Sequence, residues 1–187
     1  MAGNNVTEVV VGATGKIYVG PTSATAPTNI NSPLVTPWVE LGFVSEDGAK
    51  LTDAKTIENI GAWQSFYPIR RILTAREFMV DFAMRQWNQD NVPFAFGGGS
   101  VVNNSGGWKF TPPDPSTIDE RSLTLTWADG IKRYMLYVPR GIATANTEAQ
   151  LQRTSPADLA ISFSALSDGV TSAYTLFTDD PAFTSSL

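Results

Sequence analysis

With 187 residues, 42% of them apolar and 17% charged, the chain has the size of one domain and the composition of a globular one, which excludes an intrinsically disordered chain. Thirteen Lys and Arg stand against eighteen Asp and Glu, a net charge of −5. An acidic surface repels a phosphate backbone, so stable nucleic-acid binding is disfavoured. With neither cysteine nor histidine, disulfide and thiolate chemistry drop out, together with the usual general base and the commonest metal ligand.

The first residues, MAGNNVTEVVVGATGK, lack a basic n-region and interrupt their apolar run with Glu8, so they read as an N-terminal arm (1–15) rather than a signal peptide. No window approaches the ~18 apolar residues of a membrane span, and no membrane insertion is expected. Residues 16–20 (KIYVG) form a short strand candidate, followed by a flexible Pro/Thr/Ser/Asn-rich loop over 21–37. Residues 38–44 predict a strand, Ser45-Glu46-Asp47-Gly48 a turn of the Asp-Gly kind, and residues 50–60 the return strand. Residues 61–73 predict a loop, broken by Pro68.

Residues 77–87 carry the clearest period-two alternation. Phe78, Val80, Phe82 and Met84 fall on one face and Glu77, Asp81 and Arg85 on the other, the mark of a strand with one buried side. Asn88 can cap a short helix running to about Phe96, ended by Gly97, Gly98 and Gly99. Residues 97–117 read as a flexible Gly/Asn/Pro-rich loop. Residues 121–127 and 131–138 alternate again, joined by Ala128-Asp129-Gly130, a hairpin signal. Leu159, Ile161, Phe163 and Ala165 alternate in a last strand. Short strands divided by twelve prolines and fifteen glycines predict a mainly β fold, a β-sandwich or barrel with one short flanking α-helix.

Motifs for catalysis fail on spacing. In VVVGATGKIYVG, Tyr18 takes the place of the third glycine of a dinucleotide turn, and Ile17 follows Gly15-Lys16 where a P-loop needs Ser or Thr. Glu77 and Asp81 would lie roughly 13 Å apart along a strand, too far for either glycosidase geometry. Asp119-Glu120 and Asp179-Asp180 read as solvated turns. No stretch has the spacing of a calcium loop. No catalytic residue, metal or cofactor is expected. The remaining cluster is Trp63, Phe66 and Tyr67 beside Arg70 and Arg71. One arginine pair in an acidic chain makes a poor nucleic-acid funnel. Aromatic residues and arginine are also what protein–protein hot spots concentrate, so the five are the candidate subunit interface.

The order of segments in ENIGAWQSFYPIRRILTAREFMVDFAMRQWNQDNVPFAFGGG (58–99), extended upstream through WVELGFVSEDGAKL (38–51) and more weakly into the C-terminal third, resembles the major tail tube proteins of siphophages infecting actinobacteria. The likeness lies in the whole pattern, without a short catalytic signature. The resemblance implies one tail tube domain over 1–187, a structural virion protein assembled in the host cytoplasm. Its copies would form stacked rings, expected to be hexameric, around a hollow tube that passes phage DNA without binding it stably. It further implies association with tape-measure, tail terminator and distal tail proteins, inner strands joined between neighbours into one barrel, and Glu77, Asp81 and Arg85 facing the lumen. A bacterial secretion-system tube protein, or a β-sandwich carbohydrate- or protein-binding module, stands as the alternative. The residue chemistry gives a direct expectation. Thermal-shift measurements with NAD, ATP and divalent metals, and a duplex-DNA gel shift at low salt, should all be flat; a reproducible shift of several degrees with any ligand would revive the binding module.

Overall fold

The computed structural model describes residues 4–144 and 149–183, and within them turn chemistry and apolar alternation resolve into ten strands and one short helix. In chain order these are β1 (Thr14–Pro21), β2 (Val39–Glu40), β3 (Val44–Ala62), β4 (Ser65–Met84), α1 (Asn91–Ala95), β5 (Ser100–Asn103), β6 (Trp108–Thr111), β7 (Arg121–Asp129), β8 (Lys132–Ala143), β9 (Leu159–Ala165) and β10 (Thr175–Thr178). One antiparallel sheet runs β2-β1-β7-β8-β9-β4-β3, with β10 added to β8, and β5 and β6 form a separate hairpin.

The strand β8 makes this sheet fold over. Its first part pairs with β7, and its last residues, Gly141, Ile142 and Ala143, pair with β9. Gly141 sits at the crossing, opposite both Arg121 and Ala165. A Cβ there would lie 2.4 Å from the Phe163 ring and 2.6 Å from the Ser164 carbonyl, so only glycine lets the strands approach this closely. The two halves of the sheet then share one apolar cluster. Ile17, Leu123, Leu125 and Val138 from one half pack with Val80, Phe82, Met84, Ile161 and Phe163 from the other. The result is the expected β-rich sandwich with a flanking helix.

Helix α1 closes the margin of this core, Phe94 lying 6.1 Å from Phe163 between ring centres. Asn88 starts it as expected, its Oδ1 accepting from the N–H groups of Asp90 and Asn91, although the helix proper begins only at Asn91. Asn91 itself is fully buried and donates Nδ2 to the carbonyls of Leu41 and Gln86. That ties the helix to both flanking segments.

Several boundaries differ from the sequence expectation. The first strand begins at Thr14, which pairs with Ala128, so the arm is shorter than 1–15, and its residues 1–3 lie outside the described residues. The strand expected over 38–44 shrinks to β2. The Ser45 to Gly48 turn lies inside β3, because Val44 still pairs with Met84 and Ala49 with Phe82. Gly48 does supply a positive φ, but the four residues bulge from a strand instead of ending it. Residues 61–73, expected as a loop, are mostly strand, with only Trp63 and Gln64 in the turn. Pro68 is accommodated because the register is interrupted between Ile60 and Ala62, where no ladder N–H is needed from it. The loop over 97–117 holds the β5–β6 hairpin, and Asp179-Asp180 and Asp119-Glu120 are not solvated turns.

Those carboxylates fasten the late strands. Glu120 and Arg140 form a two-point pair at 2.6 and 2.7 Å, and Asp119 pairs with Arg121 at 2.9 Å. Asp179 accepts from the Arg133 guanidinium and N–H. Asp180, 3% exposed, accepts from the Tyr134 hydroxyl and lies 3.2 Å from Lys132 Nζ. Together these hold the segment through β10 against β8.

Two expectations follow. Phe82→Ala should cost ~3–5 kcal/mol by leaving a cavity, and Gly141→Ala about 1–3 kcal/mol by overpacking against Phe163. Asp81→Asn, which keeps an acceptor for Ser162, should melt like the parent; chemical denaturation of the three variants separates these outcomes. The second concerns pH. The hydrogen bond to Asp180, aided by burial, pushes the Tyr134 phenol from its usual 10.0 up to about 12. A raised folded-state pKa means the stability from this bond is complete below pH 10 and lost as pH rises toward about 12. Alkaline titration of the unfolding free energy should therefore be flatter in Tyr134→Phe than in the parent over that window.

Candidate functional site

The strands β3 and β4 outrun the sandwich. On β4, Phe78, Val80, Phe82 and Met84 are buried in alternation, and every residue from Ser65 to Glu77 is exposed. On β3 the same holds from Asp53 to Gly61. At ~3.3 Å per residue the thirteen exposed positions of β4 project an arm on the order of 40 Å long. Its edges are open on both sides: β3 is terminal in the sheet, and β9 reaches along β4 only from Met84 to Met79. A two-stranded ribbon of this kind is marginal by itself, and its unpaired edges and apolar side chains are a docking liability unless something covers them.

Residues directly opposite in an antiparallel ladder share a face, so the register sorts the arm's side chains. The face continuous with the core carries Asp53 opposite Phe78, Lys55 opposite Arg76, Ile57 opposite Leu73 and Asn59 opposite Arg71. The other face carries Lys50 opposite Asp81, Ala54 opposite Glu77, Glu58 opposite Ile72 and Ile60 opposite Arg70. A register shift between Thr56 and Ile57 gives β4 one extra residue, Thr74, whose hydroxyl donates to the Thr56 carbonyl. Because of that bulge both faces change character along the arm, from charged near its root to partly apolar beyond.

The root is braced. Arg76 grips Asp53 through two 2.8 Å hydrogen bonds and reaches the Tyr174 hydroxyl, and Tyr174 stacks on Phe78 at 3.9 Å. The Arg76 hydrogen bonds hold the Asp53 carboxyl below its usual range. The tip has no such support. Trp63 is 99% exposed and Tyr67 82%, Phe66 is wholly exposed, and none of the three rings stacks on another among the described residues.

Of the five candidate interface residues, the structure gathers Trp63, Phe66 and Tyr67 at the tip. It separates the arginines: Arg70 and Arg71 lie on opposite faces, and neither makes an ion pair among the described residues. The adjacency in sequence suggested one basic patch; strand geometry makes it two. Glu77, Asp81 and Arg85 do lie on the sheet face turned from the core. Ser164 donates to Glu77 and Ser162 to Asp81, at 3.3 and 2.6 Å, while Arg85 reaches Asp158 and Glu46 at 3.4 and 3.6 Å. With Lys50 and Thr52 they make a polar, hydroxyl-lined surface on β3, β4 and β9.

Sequence reasoning passed over a second exposed aromatic feature, the β5–β6 hairpin with Trp108. The alternation of Trp108 and Phe110 about Lys109, after the Ser105-Gly106 turn with its positive φ values, was the available signal. Among the described residues no group of three His, Cys, Asp or Glu could hold a metal ion, and no helix is long and apolar enough to cross a membrane.

The comparisons agree with an assembly role. No curated protein matches the sequence. A family profile described as phage tail tube protein matches residues 1–186. An end-to-end match of this kind, on a β-rich chain whose longest hairpin is left uncovered, shows that the chain belongs to the phage tail tube protein family, structural proteins of the virion tail that assemble with their own copies and associate with other tail proteins.

Proposed function

We propose that the β3–β4 arm is the element through which copies of this chain build the tube wall, within and between rings. The observation that carries this reading is the arm's exposure on both faces and along both edges. Among the described residues none finishes burying it, whereas neighbouring copies can extend its ladder and cover its apolar side chains. The rings are hexameric in this reading, and the tube's partners are tape-measure, tail terminator and distal tail proteins. The chain works without a catalytic residue or cofactor.

The polar sheet face with Glu77, Asp81 and Arg85 faces the lumen. A channel for DNA works best when its lining neither binds nor traps phosphate, and a hydroxyl-rich surface in a chain of net charge −5 suits that requirement. Arg85 is neutralised by Asp158 and Glu46, which removes a cation that would retard the passing backbone.

Arg70 and Arg71, without an ion pair among the described residues, are available to carboxylates on a neighbour. An arginine–carboxylate pair desolvated at an interface loses ~2–5 kcal/mol when one partner is removed, and the loss repeats at every subunit. Arg71→Glu and Trp63→Ala should each yield folded chains that fail to form tubes, read by electron microscopy beside circular dichroism. Normal tubes from both variants would refute the assignment, and loss of folding would mean that the arm's tip belongs to the fold.

A further inference from the structure

Past the end of β4 the chain builds a groove of about 450 Å³ lined by Trp87, Asn88, Gln89, Val92, Val101, Trp108 and Phe110. Three glycines with positive φ, Gly97, Gly98 and Gly99, turn the chain after α1 so that the β5–β6 hairpin folds back beside it. A Cβ at Gly99 would meet the Thr111 carbonyl at 2.5 Å and the Phe110 ring at 2.8 Å. Phe96 packs on Phe110 at 5.7 Å, and Trp87 is held by an Nε1–H donated to the Ala157 carbonyl at 2.7 Å. The groove is therefore held from both sides, yet Trp87 and Trp108 remain 47% and 69% exposed. It is mostly apolar, concave and unfilled by the described residues.

We propose that this groove receives the aromatic tip of the arm, residues 63–67, of a second copy of the chain displaced along the direction of β4. The proposal rests on the reading of the arm as an assembly element and names what the tip meets. Three observations carry it. Tip and groove lie at opposite ends of one strand, since β4 starts at Ser65 and ends at Met84, a span of ~65 Å at strand rise. The ladders with β3 and β9 hold that strand extended, so no chain can place its tip in its own groove. A protrusion and a recess at opposite ends of a stiff element define a heterologous contact, which repeats from copy to copy and leaves tips and grooves open only at the two ends of the assembly.

The second observation is chemical. Protruding Trp63, Phe66 and Tyr67 face a recess walled by Trp87, Trp108 and Phe110, the residue types that anchor interface hot spots when buried against each other. The third is charge. Asp90 lines the adjoining recess, which shares Gln89 and Val101 with the groove; it makes no ion pair among the described residues, and neither do Arg70 and Arg71 behind the tip. Lys109, between Trp108 and Phe110 on β6, alternates to the opposite face and does not oppose an incoming arginine.

The chain contains no cysteine, which makes thiol cross-linking specific. Gln64→Cys at the tip and Gln89→Cys at the groove are prepared as separate variants, mixed, assembled and treated with a short bismaleimide. Mass spectrometry should identify the cross-link from position 64 to position 89 between different chains, in assembled tubes and not in monomers. Cross-links from position 89 to another segment, from 64 only to 64, or none in well-formed tubes would overturn the proposal. Should either cysteine variant fail to assemble, Trp108→Ala decides. With an unchanged circular dichroism spectrum it should raise the protein concentration needed for tubes at least about tenfold, and assembly at the parent's concentration would overturn the proposal. If Trp63→Ala blocks assembly while Trp108→Ala does not, the arm keeps its role and the groove loses its own; if neither blocks, both readings fall.

Discussion

The strand β4 is backed by the core from Phe78 to Met84 and, among the described residues, left exposed from Ser65 to Glu77, and most of the molecule can be understood from that asymmetry. Four alternating side chains anchor the strand with a burial worth about 1.5–3 kcal/mol each. Beyond them the same strand pairs with β3 alone, and a lone ribbon in water has little to hold it. The Arg76–Asp53 clamp and the Tyr174–Phe78 stack stand where support ends. They stiffen the root and aim the arm. The cost of leaving apolar side chains such as Ile57, Ile69 and Leu73 in water is tolerable for a chain whose working state is an assembly, and in the proposed reading the same surface drives association.

The sandwich serves as the rigid mount for this arm. Gly141 lets β8 cross from one half of the sheet to the other, and the Phe163 ring that fills the space above it also supports Phe94 of α1. Asn91 then connects the helix to Leu41 and Gln86. The late charged residues close the other side, with Asp179 and Asp180 fixing β10 to β8. Core, helix and C-terminal strand thus meet on the body that carries β4, so a load on the arm is passed to the whole domain.

How much of this the sequence disclosed depends on whether a residue's partner lies in the same chain. Phe78 to Met84, Leu159 to Phe163 and the Asp129-Gly130 hairpin were legible, because burial on one side imprints a period of two and positive φ selects glycine. The arm was not. With both faces exposed, residues 65–77 have no reason to alternate, and Pro68 and Gly61 read as loop. The bulge at Thr74 and the split of Arg70 from Arg71 emerge only from register. Asp180 looked solvated because its partner Tyr134 lies 46 positions away. The aromatic tip, picked out as unlike a core, is exposed in the structure, and its assembly role is the proposal made above.

The claim at the centre of this account is that the arm is completed by neighbouring copies and not by its own chain. Hydrogen exchange of backbone amides over residues 53–77, measured on monomer and on assembled tube, tests it most directly. The monomer should exchange quickly at positions 65–73 and more slowly near the braced root, while the body around Val80 and Phe163 stays protected. Assembly should slow the arm by orders of magnitude and leave the body unchanged. Equal protection of the arm in both states, or rapid exchange that persists in the tube, would contradict the account.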